Sequence, residues 1–251
     1  MRQYLALNLL GLLIFFGGCG GSSLTEEYKL NKKYWNHQDY KEIIYKIKYL
    51  DKQEVLPSYK TPERLAIFLK LVDDENVLVV AEDESLGIQH RAEVLTVFFN
   101  ESNDLKEIYS ATDREDKFLY PKELAESLKF NLLVQLHYFE LGNREIEYLA
   151  DDPNSNNIKN LVNKNIQTLI GNYSYYLDYV KREKSFDEEG LNIYISGLDQ
   201  EMSELIKKYP NADYFKIESK ANAMLKRAES DNLKSSIQKL LDLIESKKSA
   251  A

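Results

Sequence analysis

The sequence predicts an all-α protein whose helical hairpins stack as an irregular array or bundle. Apolar residues recur with helical spacing over several long segments, and few segments show the alternation of a half-buried strand. Only 10 glycines and 5 prolines occur among 251 residues, which leaves little turn material for a sheet. Hydrophobic residues make up 43% of the chain, enough for a globular core. We therefore expect one helical domain over residues 24–251.

Four helices are predicted from capping residues and apolar stripes. Thr61 is a good N-cap and Pro62 suits a first helical turn, so a helix is expected at about 62–72. Further helices are expected at about 121–141, at 158–180 with Gly171 as an optional bend, and at the C-terminus. The main stripes are Leu124, Leu128, Leu132, Leu136 and Phe139 in the second helix and Leu233, Ile237, Leu240, Leu241 and Ile244 in the last.

The segment 76–81 is ambiguous. Its apolar run, Val77 to Val80, is too short for periodicity to separate a strand from a buried helical turn. Both alternatives remain open at this point.

The only cysteine, Cys19, follows an apolar run that is too short to span a membrane. The run covers 13 residues, 4–16, after the positively charged Arg2, whereas a membrane-spanning helix needs about 20. The sequence Phe16-Gly17-Gly18-Cys19 resembles a bacterial lipobox, Leu-(Ala/Ser)-(Gly/Ala)-Cys, although its first two residues depart from that pattern. The alternative is an ordinary secretory signal with an incidental cysteine.

The lipobox resemblance implies a signal peptide at 1–18, acyl chains on Cys19 and a short linker over 19–23. The chain would then be anchored in a bacterial cell envelope through its N-terminal lipid. Residue 20 is glycine and not aspartate, which resembles the sorting of lipoproteins to the outer membrane in enteric-like bacteria.

Three segments resemble the turns of tetratricopeptide repeats. They are 34–44, with Trp35, His37 and Tyr40; 141–145, with Gly142; and 204–214, where Tyr-Pro-Asn closes one helix and Tyr214 opens the next. At this level the chain is similar to the helical lipoproteins of outer-membrane assembly machinery. The resemblance implies a concave surface for a partner protein and carries over no site residues. The alternative is a generic helical bundle.

The charge disfavours nucleic acid as a partner. Removal of residues 1–18 takes away Arg2 and no acid, so the formal charge changes from -8 to -9. Residues 73–117 contain 13 acids and 4 bases, a net charge of -9, so the other charges of the mature chain cancel. An acidic segment can attract a basic partner. The predicted partner-binding acids are Asp73, Asp74, Glu82 and Asp83.

No catalytic, cofactor or metal site is predicted. His37, His90 and His137 are far apart in sequence and have no ligand at metal-binding spacing. His37 is interpreted as a turn residue and His137 as part of a helix face. The acidic runs are interpreted as solvated loops or helix ends, and the number of acids leaves paired carboxylates for glycoside hydrolysis open as an alternative.

Four tyrosines lie within seven residues, 173–179. Helical spacing places Tyr173 and Tyr176 in the core, while Tyr175 and Tyr179 lie on a neighbouring face that could line a groove for a peptide or sugar. The sequence therefore favours a non-catalytic envelope adaptor. The alternatives are a surface-exposed ligand-binding lipoprotein and an envelope hydrolase that uses carboxylates.

Overall fold

The computed structural model describes residues 24–49 and 56–248, and these residues form an array of packed helices. The all-α prediction is confirmed. In this part of the chain the only β-like pairing is a single antiparallel bridge between Thr112 and Phe118. The helical elements are α1 (Leu24–Glu27), α2 (His37–Lys48), α3 (Pro62–Leu71), α4 (Glu75–Ala81), α5 (Ile88–Ile108), α6 (Pro121–Tyr148), α7 (Asn156–Ser174), a 3-10 segment (Tyr176–Ser185), α8 (Glu188–Gly197), a π segment (Leu198–Met202), α9 (Ser203–Lys208), α10 (Phe215–Leu225) and α11 (Asp231–Lys248).

The predicted signal peptide at 1–18 and the predicted lipidated Cys19 with its linker at 19–23 lie outside the described residues. Within the described ranges, no helix combines the length and the apolar character that crossing a membrane requires.

Helix α6 is the central element of the array. It packs against α5, α7 and α8, and α5 in turn contacts α2. The stripe predicted for α6 is buried along its whole length. Helices α10 and α11 pack against each other, and the predicted C-terminal stripe is buried except for Leu241, which is half-buried. Both long amphipathic helices therefore use the face that their sequence indicates.

The turn predicted at 141–145 is wrong, because α6 continues through it to Tyr148. Leu141 is buried at this point. A Cβ atom on Gly142 would meet only the side chain of Asn165, at an ordinary contact distance of 3.8 Å. A glycine inside a helix costs roughly 0.5–1 kcal/mol relative to alanine. Packing of the surrounding helix offsets that cost, since tertiary contacts supply most helical stability in proteins.

Helix α3 begins where its capping residues indicate. The Thr61 hydroxyl accepts a hydrogen bond from the backbone N–H of Arg64 at 3.4 Å, and Pro62 occupies the first turn. The helix ends at Leu71, one residue before the predicted end. This prediction is confirmed.

The ambiguous segment 76–81 is helical and forms most of α4. Asn76 is fully buried in the first turn of α4. Its Oδ1 accepts from the backbone N–H of Trp35 at 2.6 Å, and its Nδ2 donates to the carbonyl oxygen of Lys70 at 2.7 Å. These bonds join α4 to α3 and to the loop before α2, so the short apolar run is a helical turn, with Val77 buried and the three residues after it half-buried.

The helix predicted at 158–180 is divided into two parts. Helix α7 passes through Gly171 without a break and ends at Ser174, and the chain continues as the 3-10 segment. The change of helix type, and not a glycine bend, therefore ends α7. A 3-10 turn is tighter than an α turn. The residues just after the change, Tyr176 and Leu177, are both buried.

The π segment joins α8 to α9 without a break. The residues that flank it, Gly197 and Ser203, have α-helical backbone angles. Two tyrosines fix the 3-10 segment to α8. The Tyr176 hydroxyl donates to the carbonyl oxygen of Tyr194 at 2.8 Å, and the Tyr194 hydroxyl donates to that of Tyr176 at 2.7 Å. Their rings stack with centroids 4.5 Å apart and an interplanar angle of 4°. Gly197 is required here because any Cβ would overlap the Tyr176 hydroxyl.

Of the remaining turn predictions, that at 204–214 is confirmed. Helix α9 ends at Lys208, and Tyr214 is the N-cap residue of α10. The Tyr214 hydroxyl donates to the carbonyl oxygen of Tyr209 at 2.8 Å, which holds the turn closed. His37, by contrast, was interpreted as a turn residue and is the first residue of α2. The Asn36 side chain caps that helix, so the turn lies before His37.

Candidate ligand-binding site

A pocket of about 310 Å³ lies between α5, α6 and the junction of α7 with the 3-10 segment. This volume is at the lower end of the range for small-molecule sites. We call it the tyrosine–amide pocket, because one side is aromatic and the other carries amides and one amine. It is lined by Phe99, Asn103 and Lys106 from α5, by Leu128, Asn131, Leu132 and Gln135 from α6, and by Asn172, Tyr175, Tyr176 and Tyr179.

Buried amides form the base of the tyrosine–amide pocket. Asn131 Nδ2 donates to the Ser102 hydroxyl at 2.8 Å, and Gln135 Nε2 donates to Asn131 Oδ1 at 2.7 Å. All three side chains are buried. Gln135 Oε1 has no hydrogen-bond partner in the described part of the chain. Because the network joins α5 to α6, the orientation of these amides is fixed before any ligand arrives.

The residues that line the pocket all lie within 56–248, and Lys106 is the only charged one among them. Its Nζ donates to Asn103 Oδ1 at 2.7 Å and to Asn131 Oδ1 at 3.4 Å. Burial lowers the pKa of Lys106, and the Glu107 carboxylate opposes this shift. No ion pair within the described ranges includes Lys106. The pocket therefore contains a largely buried amine that is held by amide oxygens.

The structure brings the two predicted groove tyrosines to this pocket. Tyr175 is 64% exposed, and the Lys220 Nζ lies 4.4 Å from the centroid of its ring. Tyr179 is half-buried and packs against the core residue Phe118. Tyr173 and Tyr176 are buried, which confirms their assignment to the core. Tyr175 is therefore open to solvent with the Lys220 amine over its ring, and Tyr179 is supported from behind by Phe118.

The predicted acids lie at the two ends of α4 and do not line the pocket. Asp73 forms an ion pair with Lys70 at 2.9 Å, and Asp83 accepts from the backbone N–H of Ser85 at 3.0 Å. Asp74 and Glu82 are exposed. Seven helical residues span roughly 10 Å, so these acids form two separate pairs. Their role in partner binding remains a prediction.

Another set of acids, of which the sequence analysis selected only Asp74, surrounds Lys129 of α6. Burial raises the pKa of Glu201 to about 7, with Lys129 opposing the shift and with Asp74 and Glu204 adding to it. Burial also raises the pKa of Glu126. Among the described residues, no group of three or more histidines, cysteines or acids could hold a metal ion. We therefore treat this set as an electrostatic feature of the fold.

A second cavity, of about 280 Å³, is lined by charges of both signs. Glu140 forms ion pairs with both Arg144 and Lys208. Arg91 is buried, and its Nε has no partner within the described ranges. Burial lowers the pKa of His137, which lies on a helix face as predicted. Three acids and three bases line this cavity, so its charges balance.

Sequence reasoning missed the polar base of the tyrosine–amide pocket. A signal was present, because Asn131 and Gln135 are four residues apart and lie next to the leucine stripe of α6. Two amides at that spacing beside an apolar stripe indicate a buried polar pair. The third member, Lys106, comes from another helix, and only the packing of α5 on α6 reveals it.

The comparisons with protein-family models, with curated proteins and with solved structures found no match for this chain.

Proposed function

We propose that this chain is a non-catalytic, lipid-anchored binding protein of the bacterial cell envelope, and that it captures a small ring-bearing ligand in the tyrosine–amide pocket. The anchor rests on the lipobox resemblance at Cys19. The binding function rests on one observation, the meeting of aromatic faces and pre-oriented amides in a single pocket.

The side chains that line the pocket suit the recognition of a ring that bears polar substituents. Tyr175 and Tyr179 offer apolar ring faces with polar tips, and the side-chain amide of Asn172 offers both donors and an acceptor. A ligand ring can lie on the tyrosines while its polar substituents bond to the amides. Hydrolysis would need a general base positioned against a bound substrate. Lys106, the one amine that lines the pocket, donates to two amide oxygens and so does not act as a base.

The test compares ligand binding between variants of the exposed tyrosines. Saturation-transfer NMR on the parent chain, with N-acetylglucosamine, glucuronate and 4-hydroxybenzoate as probes, should detect binding of at least one. Tyr175→Ala combined with Tyr179→Ala should weaken that binding at least tenfold. The control is Tyr148→Ala, which removes another exposed tyrosine at the far end of α6. Binding of no probe, or equal binding by the double variant, would contradict the proposed function.

An adaptor that binds a basic partner is the second candidate, and the exposure of Asp74 and Glu82 favours it. The other two predicted acids, Asp73 and Asp83, already have local partners. Exposed acids of one sign accelerate association with a basic protein at low salt.

Replacement of the four acids by Asn or Gln tests the adaptor role. Association with cross-linked envelope proteins should weaken in the variant, and the difference should shrink as the salt concentration rises. Unchanged association and salt dependence in the folded variant would limit the segment to a solvated surface.

A further inference from the structure

We propose that the ligand of the tyrosine–amide pocket is an acid whose carboxylate is bound by Lys106. This inference deepens the proposed function and rests on it. The ligand class is a small ring, either a sugar ring or an aromatic ring, that bears a carboxylate group.

The position of Lys106 carries the argument. It lies in the last turn of α5, where a lysine ordinarily extends into solvent beside the helix C-terminus. Here its amine is directed inward and bonds to Asn103 on its own helix and Asn131 on α6. An ammonium group has three donors, and these two bonds leave one of them for a ligand.

The positive charge of Lys106 is not paired with a carboxylate in the described part of the chain. Most lysines with a resolved partner in this structure face a carboxylate, as Lys48 does with Asp104 at 2.8 Å. Lys106 instead faces two neutral amide oxygens, one of them at the long distance of 3.4 Å. Neutral acceptors compensate a buried cation less well than a carboxylate does. A carboxylate that enters the pocket would complete the pairing.

The charges of the pocket and of the surrounding surface favour an acid over a cationic or neutral ligand. The mature chain has a formal charge of -9 after removal of residues 1–18, so an anion is repelled over most of the surface. No acid lies among the residues that line the pocket. A cationic ligand would therefore meet an unpaired lysine, and a neutral one would leave its charge uncompensated. An acid is the ligand type that the pocket charge favours.

The ring of the ligand has a place beside the carboxylate. Phe99 and Tyr179 line the same pocket as Lys106, and Phe99 is held by stacking on Tyr138 with centroids 4.6 Å apart. Tyr175 extends the aromatic side toward solvent. A single sugar or aromatic ring fits the pocket volume of about 310 Å³. Its carboxylate would lie toward α5, and its ring would lie toward Tyr175.

The experiment compares acids with their amides, which have the same shape and no charge. Binding of glucuronate and glucuronamide, and of 4-hydroxybenzoate and 4-hydroxybenzamide, is measured on the full chain by saturation-transfer NMR and calorimetry at neutral pH. We expect one acid to bind at least about tenfold more tightly than its amide, since a hydrogen bond between an ammonium and a carboxylate is stronger than one to a neutral amide.

Variants then assign the preference to Lys106. Lys106→Met should bind acid and amide with equal affinity, while Lys106→Gln repeats the test with a polar side chain. Lys159→Met, an exposed lysine on α7, is the control and should keep the preference. Thermal unfolding confirms that each variant is folded.

The outcomes separate the two proposals. Equal binding of acid and amide by the parent, with loss of both in the Tyr175 and Tyr179 variant, overturns the acid inference and leaves the proposed function intact. A preference for the acid that survives in Lys106→Met also overturns the inference. Binding of none of these four probes overturns the acid inference, and it contradicts the proposed function as well only if N-acetylglucosamine also fails to bind.

Discussion

Replacement of Glu201 by glutamine should stabilise the protein at alkaline pH. Glu201 lies in the π segment and is half-buried, and its pKa is raised from 4.5 to about 7, chiefly by burial. Its proton is therefore bound more tightly in the folded state than in the unfolded chain. As pH rises from the unfolded value toward 7, the folded state loses stability, because Glu201 must ionise where burial disfavours the charge.

The magnitude follows from the shift. One pKa unit corresponds to about 1.4 kcal/mol, so a shift from 4.5 to about 7 gives an upper limit of about 3.5 kcal/mol. Because part of the side chain reaches solvent, screening reduces the expected effect to about 2 kcal/mol. Glu201→Gln should gain this at pH 8 and only a small fraction of it at pH 5.

The measurement is urea unfolding of parent and variant at pH 5 and pH 8, followed by circular dichroism. Glu204→Gln is the control, since Glu204 is exposed and lies three residues further along the same helical run. Its effect should be small at both pH values. If Glu201→Gln has the same pH dependence as the parent, the carboxyl group is solvated and the reasoning about its burial is refuted.

Three further substitutions test the fold and the anchor. Gly142→Ala should stabilise the protein by about 0.5–1 kcal/mol in thermal unfolding, because the site is helical and a Cβ fits there. A loss of stability would contradict the helix at this position and favour the turn that the sequence predicts. Gly197→Ala should destabilise it by about 2 kcal/mol or more, since the new methyl overlaps the Tyr176 hydroxyl, and an unchanged melting temperature would contradict that contact. Cys19→Ala should remove the protein from the detergent phase of a membrane extract, whereas equal partitioning of parent and variant would end the lipoprotein proposal.

The sequence was sufficient where local signals and burial agree. The Thr61 cap, the leucine stripe of α6 and the Tyr214 turn each combine a residue type with its usual position, and each is found as predicted. It failed at Gly142, where the residue favours a turn but the packing of α6 favours a helix. It also failed after Ser174, where the helix predicted to continue to residue 180 changes to a 3-10 helix.

The pocket was predictable only in part. Tyr175 and Tyr179 were selected as groove residues from helical spacing, and both line it. Lys106 gave no signal, since a lysine in the last turn of a helix is ordinarily solvated. Its burial depends on α6 contributing Asn131 and on α5 packing beside it. Glu201 is a similar case, because its raised pKa comes from groups on other elements as well as from burial.

The reciprocal stacking of Tyr176 and Tyr194 also affects the thermodynamics of binding. Two buried hydrogen bonds and a nearly parallel ring pair fix the backbone on which Tyr175 and Tyr179 are carried. Little conformational entropy would then be lost when a ligand settles against these rings. A substitution at Gly197 that displaces Tyr176 should therefore weaken binding without touching the ligand. If the proposed site binds a ligand, its affinity should therefore depend on α8, a helix that does not line it.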